Sequence, residues 1–399
     1  MLPIGFKVGG VRAGIYKKGT KKDVAVFISS ASAAAAGMFT QCMAKAAPVV
    51  FDMEALKNKN AKISAIVANS GCANACTGTR GLKDAKDMAA SGQKIFGLSA
   101  GSVLVASTGV IGQYLPMDKI NNGIRELAAF TGTSPAHEKD SVEAIMTTDT
   151  YPKYTSKKIK ASGGEITIWA CVKGSGMIHP DMKGLHATML SFILTDAKIE
   201  APALRKSLAA AVEQSFNRVS VDGDTSTNDT IVMLANGLSK AGKLSAVDMK
   251  KFQAALDEMT LKLAKEIAAD GEGATHMVEI EVKGAKSPMD AKKIAATIAT
   301  SPLFKTAIFG RDANWGRIMA AAGRAGVKFD PYKADISIGN IVVCKNGMAV
   351  DFDEEKAKKI LSEKEVKVVL DLKQGKAATK YYTCDMSIDY VKINSDYRS

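Results

Sequence analysis

Short apolar runs alternate with small-residue or polar turns along most of this chain. Runs of about four to eight residues that are rich in branched side chains are typical of buried strands. The pattern predicts strands at 23–28, 63–68, 102–106, 166–171, 189–194, 231–234 and 277–282. Several of these strands end in loops dense in Gly, Ser, Thr and Asn, so we expect a site where the loops converge.

Helical periodicity separates the predicted strands. An amphipathic helix is predicted from Pro202 onward, because apolar residues recur on one of its faces. That face consists of Leu204, Leu208, Val212 and Phe216. Further helices are predicted at 84–96, from near Met117, from near Ser141 to 147–150, and at 244–269, 290–299 and 354–361. The mixture of strands and helices predicts a layered α/β fold.

The composition is that of an ordinary globular protein, with 46% apolar and 24% charged residues. No apolar run approaches the roughly 18 residues of a membrane span. The first residues resemble neither a signal peptide nor a transit peptide, so we expect a protein that acts where it is made, or a processed form. The net charge of +13 comes mostly from lysines spread along helical segments beside acidic residues.

Because no basic block is interleaved with aromatic residues, we expect a solvated lysine-rich surface and no nucleic-acid or membrane partner. A basic RNA- or membrane-associated binding protein is the non-enzymatic alternative. A metal site is not expected either, since none of the four histidines is paired at a ligand spacing. The six cysteines are scattered, and the only close pair, Cys72 and Cys76, has neither zinc nor thioredoxin spacing, so we expect reduced, mostly buried thiols.

A glycine-rich, proline-containing loop runs from Lys173 to Ala187 and Thr188. Thr188 opens the apolar run 189–194, which places it at the mouth of a predicted buried strand. A threonine there can attack the carbonyl of its own preceding residue and cut the chain at Ala187–Thr188. The freed α-amine, with a pKa of about 7.7–8.0, would suit a base near neutral pH. The alternative is a glycine loop that simply leads into a core strand.

A second candidate is the turn formed by Ser107, Thr108 and Gly109 at the end of the strand predicted at 102–106. Backbone amides in such a turn can point at an anion. The same residues also suit an ordinary tight turn.

These loops together resemble the ornithine acetyltransferase family, also called bifunctional glutamate N-acetyltransferase. The resemblance is carried in chain order by residues 69–78, 107–109, 146–149, 173–178, 187–190, 220–229, 271–275, 310–316 and 394–399. It covers essentially the whole chain, and its long polar motifs make it specific. Two departures are the inserted residues 183–186, which lengthen the loop before the cleavage point, and Cys72, where asparagine is usual.

The resemblance implies a layered α/β sandwich similar to, but not identical in topology with, N-terminal-nucleophile hydrolases. It implies self-cleavage into an alpha chain, 1–187, and a beta chain, 188–399, with a smaller α/β domain at roughly 240–335. The two chains would stay associated, typically as an α2β2 assembly. The implied reaction moves an acetyl group from N2-acetylornithine to glutamate in the cyclic arginine pathway.

The resemblance also assigns roles to residues. Thr188 matches the nucleophile, and Thr108 and Gly109 match the pair that stabilises the oxyanion. Substrate-binding positions are matched by Thr147, Lys173, Thr188, Glu272, Asn394 and Ser399. By residue type alone, Lys173 is equally typical of a surface lysine, and Glu272 is equally typical of an acidic residue in a loop. The last residues are equally typical of a frayed chain end.

Some family members also accept acetyl-CoA as a donor, and no other cofactor is expected. The sequence leaves the use of acetyl-CoA open. The compartment is expected to be the cytoplasm, or the mitochondrial matrix in a eukaryote. The alternative function is an aminopeptidase or amidase of the same self-cleaving architecture, with water in place of glutamate as the acceptor.

Overall fold

The computed structural model describes residues 1–17, 19–58, 61–179 and 189–396. The chain divides into two compact units. The first comprises Met1–Asn217 and Asp224–Leu263, and the second comprises Arg218–Gly223 and the residues from Ala264 onward. Four sequence predictions fall outside the described residues: those on Ala187, Thr188, the segment 183–186 and Ser399.

The first unit contains one mixed sheet with helices packed on it. Its strands are β1 (Phe6–Val11), β2 (Val24–Phe39), β3 (Lys62–Asn69), β4 (Val103–Ser107), β5 (Lys153–Ala161), β6 (Gly164–Lys173), β7 (Leu190–Thr195) and β8 (Thr230–Ala235). Its helices are α1 (Ala47–Lys57), α2 (Gly78–Phe96), α3 (Met117–Leu127), α4 (Pro135–Glu143) and α5 (Ala201–Gln214). Helix α6 (Ala246–Ala269) begins in this unit.

The strands of this sheet follow the order β4-β3-β2-β8-β7-β6-β5, with β1 paired to β2. Strand β2 pairs with β3 along its first half and with β8 along its second half, and its register shifts between Ile28 and Ala33. The rings of Phe27 on β2 and Phe192 on β7 lie 4.7 Å apart, so both halves of the sheet contribute to one core. Trp169 lies in the same core, and its indole N–H donates to the buried Glu138 over 2.8 Å.

Two of the strand pairs are parallel, and they determine where the loops meet. Strands β3 and β4 run side by side, and so do β7 and β8. Parallel neighbours bring their carboxyl ends to the same edge of a sheet. The loops that follow Asn69 and Ser107 therefore lie together, as the polar motifs at these positions led us to expect.

The second unit is a six-stranded sheet in the order β12-β11-β10-β13-β9-β14. Its strands are β9 (Met277–Ala285), β10 (Asp335–Ile338), β11 (Ile341–Lys345), β12 (Met348–Ala349), β13 (Glu365–Asp371) and β14 (Ala377–Cys384). Its helices are α7 (Pro288–Ala299), α8 (Pro302–Phe309), α9 (Trp315–Gly323), α10 (Glu354–Ile360) and α11 (Ile388–Asp396). Helix α7 buries Ala291, Ile294, Ala295, Ile298 and Ala299. These positions recur at helical spacing, so one face of α7 enters the core.

The α/β class is confirmed, and most predicted elements are present. Helix α2 begins at Gly78 rather than near Asp84. The helix predicted from near Ser141 is wrong, because α4 begins at Pro135. Ser134 caps that helix by accepting the N–H of His137, and a proline at the first helical position favours a start there. The sequence also missed the helices α1, α8, α9 and α11 and the strands β1 and β5.

The smaller unit extends beyond the smaller domain predicted at roughly 240–335. It begins at Ala264, and it extends past residue 335 because β13 and β14, which follow that residue, both pair with β9 in its sheet. The division into chains 1–187 and 188–399 concerns cleavage and stays a prediction. Among the described residues, no helix combines the length and the apolar character needed to cross a membrane.

Candidate active site

Lys173 is the last residue of β6, in the first unit's sheet, and its side chain is buried at the carboxyl end of that strand. It pairs with Leu190 at the start of β7, two residues after the predicted nucleophile in the sequence. The ammonium donates to the hydroxyl of Thr147 over 2.8 Å and to the hydroxyl of Thr108 over 3.2 Å. Three residues matched by the family resemblance therefore lie in direct contact, and Lys173 is not a surface lysine.

Thr108 follows β4 and is held by the neighbouring strand end. Its backbone N–H donates to the carbonyl of Asn69 at the end of β3 over 3.0 Å. Its hydroxyl oxygen accepts a hydrogen bond from Lys173, which can only donate. The proton of that hydroxyl is consequently left to donate to another acceptor, as an oxyanion-stabilising group requires.

Gly109 has a φ of 129°, a backbone conformation that side chains other than glycine's rarely adopt. A β-carbon on this residue would stand 2.6 Å from the backbone nitrogen of Cys72. Cys72 belongs to the loop after β3 and forms an isolated bridge with Thr108. The two strand-end loops are thus packed backbone to backbone, and only glycine fits at position 109.

Asp149 compensates the buried charge of Lys173. Its carboxylate accepts from Lys153 Nζ over 2.8 Å, from the Gly174 N–H over 2.6 Å and from the Thr147 N–H over 3.1 Å. Burial favours the neutral acid, but the charges of Lys153 and Lys173 and these hydrogen bonds together outweigh it. The pKa of Asp149 is therefore held well below its usual value, and the carboxylate stays ionised in the folded protein.

Lys21 contributes a further positive charge beside this cluster. Its ammonium donates to the backbone carbonyl of Thr147. Burial lowers the pKa of Lys21, the nearby Asp149 raises it and the like charge of Lys173 lowers it further, with a net lowering. The cluster around Thr147 is accordingly electropositive, which suits a substrate that carries carboxylates.

Glu272 and Asn394 lie in the second unit and contact each other. The side-chain amide of Asn394, on α11, donates to the carboxylate of Glu272 over 2.8 Å. The loop that contains Glu272 is anchored by Asp385, whose carboxylate accepts from the N–H and hydroxyl of Thr275 and from the N–H of His276 at 2.6–2.9 Å. Asn394 is thus part of an ordered helix rather than of a frayed end.

The chain is similar over its whole length to known proteins of one family. A model of the ArgJ family matches residues 7–399. The chain is also 47% identical over 404 residues to the arginine biosynthesis bifunctional protein ArgJ of Thermotoga neapolitana, with 100% of both chains covered. This chain belongs to the ArgJ family. A protein of the same name from Symbiobacterium thermophilum is 46% identical to it over 400 residues, covering 100% of this chain and 98% of that one.

Two solved structures are similar to parts of this ArgJ-family chain. The crystal structure of arginine biosynthesis bifunctional protein ArgJ from Bacillus halodurans is 43% identical, covers 51% of this chain and 96% of its own, and has a TM-score of 0.49. The ornithine acetyltransferase of Mycobacterium tuberculosis, solved with ornithine, is 33% identical. It covers 45% of this chain and 93% of its own, with a TM-score of 0.42.

Sequence reasoning missed Asp149 and Lys21, which lie in the cluster around Lys173 of this ArgJ-family chain, and Asp385, which anchors the loop of Glu272. Asp149 was not singled out because its burial and its hydrogen bond to the Gly174 N–H arise only in the folded chain. Asp385 was not singled out because its partner Thr275 lies 110 residues away in the sequence. Lys21 was missed because it stands in a lysine-rich segment that looks like a solvated surface. Within the described ranges, no group of three or more His, Cys, Asp or Glu residues could hold a metal ion.

We predict that Gly109→Ala severely impairs the enzyme, whereas Gly112→Ala does not. Both glycines lie in the loop after β4 with a positive φ, so both substitutions incur backbone strain of about 1–3 kcal/mol. Only at position 109 would the new methyl group also clash with backbone, since nothing lies within 4 Å of a β-carbon at position 112. Transferase assays and thermal unfolding of both variants test this expectation. Equal losses in the two variants would contradict the close backbone packing at Gly109.

Proposed function

We propose that this chain cuts itself at Ala187–Thr188 and then transfers an acetyl group from N2-acetylornithine to glutamate through an acetyl-threonine intermediate. Family membership supports a bifunctional acyltransferase of arginine biosynthesis. The observation that carries the proposal for the site is the contact of buried Lys173 with the hydroxyls of Thr108 and Thr147, opposite Leu190.

The chemistry of acyl transfer explains this arrangement. Attack on the acetyl carbonyl creates a negative oxygen, and a donor fixed in advance stabilises that charge without rearranging. The Thr108 hydroxyl, oriented by the Lys173 ammonium, is such a donor. The same oxyanion forms when the threonine takes up the acetyl group and when glutamate removes it, so one set of donors serves both steps.

Lys173 and Lys21, both in the first unit, provide positive charge for the carboxylate of an amino-acid substrate. The family resemblance alone assigns Glu272, in the second unit, to the substrate's ammonium group. Asn394 holds the Glu272 carboxylate and keeps an amide oxygen to accept a further hydrogen bond. We assign Thr147 and Lys173 to substrate binding on this basis and on the family resemblance, and Thr188, Glu272, Asn394 and Ser399 on the family resemblance alone.

We propose an α2β2 assembly of cleaved chains that acts in the bacterial cytoplasm, since the named relatives are bacterial. We propose N2-acetylornithine as the acetyl donor and no cofactor, and the family resemblance leaves the use of acetyl-CoA as a co-substrate open. The amidase alternative is less favoured, because the relatives that match the full chain are named as biosynthetic proteins.

The purified protein should separate under denaturing conditions into two chains, 1–187 and 188–399. The reason is that a threonine hydroxyl following a glycine-rich loop can attack the preceding carbonyl. Intact-mass measurement reports the two fragments directly. Thr188→Ala should remain a single chain of full mass. A wild-type protein that stays uncut, with no N-terminal threonine, would contradict self-activation and implicate the inserted residues 183–186.

Replacing Thr108 with valine should lower kcat by about 10²–10³ for both half-reactions, because a single oxyanion donor is typically worth that much. Thr195→Val is the matched control. Thr195 is also buried, and its hydroxyl donates to the carbonyl of Thr167 over 2.7 Å on the same sheet.

The control variant should lose about 1 kcal/mol of unfolding free energy and keep its kcat. Steady-state kinetics and denaturant unfolding of both variants separate the two effects. A kcat that Thr108→Val leaves unchanged would remove this hydroxyl from the transition state.

A further inference from the structure

Lys305 is a lysine of α8, in the second unit, and only 1% of its surface is exposed. Its Nζ donates to the backbone carbonyl of Cys384, to the sulfur of the same residue over 3.4 Å and to the hydroxyl of Thr383 over 3.1 Å. Among the described residues these are its only side-chain hydrogen bonds, and all three acceptors are uncharged. A lysine buried without an opposite charge in contact is costly, so its presence calls for an explanation.

The main chain of Lys305 holds the same part of the structure at a second point. Its backbone carbonyl accepts the N–H of Met386 over 3.2 Å. The hydroxyl of Thr383 donates in turn to the carbonyl of Ala299 at the end of α7 over 3.1 Å. The side chain and the main chain of one lysine therefore fix residues 383–386, the connecting segment that leads from β14 to α11.

The connecting segment binds the loop that contains Glu272. Within the segment, the carboxylate of Asp385 accepts the backbone N–H groups of Thr275 and His276 over 2.8 and 2.9 Å. The backbone N–H of Asp385 donates to the carbonyl of His276 over 3.2 Å. These hydrogen bonds attach the end of the loop to the residues that the buried lysine fixes.

Ser387, directly after the connecting segment, joins the same loop to helix α11. Its hydroxyl donates to the carbonyl of Gly273 over 2.6 Å and accepts the N–H of Asp389, in the first turn of that helix, over 3.1 Å. Helix α11 carries Asn394, whose amide contacts the carboxylate of Glu272. The loop and the helix therefore share one anchor at the end of the connecting segment.

The two glycines beside Glu272 are packed closely on their neighbours. A β-carbon at Gly271 would stand 2.8 Å from the sulfur of Cys384, and one at Gly273 would stand 2.5 Å from the backbone nitrogen of Tyr390. Gly273 also has a φ of 68°, which favours glycine. The backbone before Glu272 thus rests on the thiol that the buried lysine contacts, and the backbone after it rests on the first turn of α11.

We propose that Lys305 is a positioning residue that fixes the place of the Glu272 carboxylate and thereby sets the preference of the enzyme for acetyl donors that carry an ammonium group. This inference rests on the proposed function, in which Glu272 meets the ammonium group of the substrate. The α-nitrogen of N2-acetylornithine is acetylated, so its one ammonium group is at the end of the side chain. Lys305 is buried away from the substrate and acts through the connecting segment and Ser387.

The expected effect is confined to donors that have the ammonium group. A hydrogen bond between charged groups strengthens binding about 10–10²-fold, and it weakens steeply when its geometry is poor. A donor without an ammonium group never gains this bond, so the place of the Glu272 carboxylate should not affect it. A general loss of stability, in contrast, should affect both kinds of donor alike.

The experiment compares N2-acetylornithine with N2-acetylnorvaline, which has the same carbon chain without the ammonium group, as donors to glutamate. The quantity measured is the ratio of their kcat/KM values. We expect wild type to prefer N2-acetylornithine about 10–10²-fold and Glu272→Gln to lose this preference. Lys305→Met should reduce it about tenfold, because a small misplacement of a binding group has a large effect. Lys305→Met added to Glu272→Gln should change the ratio no further, since both residues act on one interaction.

Phe304→Leu is the matched control. Phe304 precedes Lys305 on α8, is also 1% exposed and packs in the apolar core of the second unit. Its substitution should lower the unfolding temperature and keep the donor preference of wild type. Hydrogen exchange supplies a readout that does not depend on the proposed function. The amides of Thr275 and His276 should exchange faster in Lys305→Met than in Phe304→Leu.

A donor preference in Lys305→Met equal to that of wild type overturns the proposal, and so do amides that exchange no faster than in the control. A preference that Glu272→Gln leaves unchanged also overturns it, because there is then no bond for Lys305 to position. If Lys305→Met does not fold, Lys305→Gln, which is shorter but keeps a donor, carries the same expectations. Failure of the proposed function is distinguishable, since wild type would then transfer no acetyl group from either donor, and hydrogen exchange would still decide whether Lys305 positions the loop.

Discussion

The buried ammonium of Lys173 is the group on which the arrangement of the first unit's strand ends depends. Removing an ammonium from water costs several kcal/mol unless opposite charge and hydrogen bonds compensate it. Asp149 supplies the charge, and the hydroxyls of Thr108 and Thr147 accept hydrogen bonds. Because those hydroxyl oxygens accept from Lys173, each hydroxyl proton remains available to donate. In the proposed mechanism, the groups that compensate this buried charge also supply the donor for acyl chemistry.

The backbone around this charge is constrained equally closely. Gly174, directly after Lys173, has a φ of 150° and donates its N–H to Asp149. A β-carbon at Gly174 would stand 2.8 Å from the side chain of Ile178, so the positive φ and this side chain both favour glycine there. Gly109 instead meets backbone atoms of Gly71 and Cys72. Glycine at position 109 therefore lets the loops after β3 and β4 approach one another.

The sequence predicted much of this fold because buried strands are encoded locally. The apolar runs that became β3 and β8 are recognisable without knowledge of their partners. The roles of acidic residues are not encoded in this way. Asp224 and Asp229 stand in the same polar segment, yet the first is exposed and the second is buried by contacts with distant strands. Helix α11 was missed for a related reason: none of its residues is fully buried, so it lacks the apolar face that reveals a helix in a sequence.

In the proposed mechanism, Thr188 carries the acetyl group between the two substrates. This role is tested most directly by mixing cleaved enzyme with N2-acetylornithine in the absence of glutamate and measuring the intact mass of both chains. We predict that one acetyl group is added to the chain 188–399 alone, and that glutamate added afterwards removes it. No mass gain on that chain, with N2-acetylglutamate formed only when both substrates are present together, would contradict the covalent mechanism.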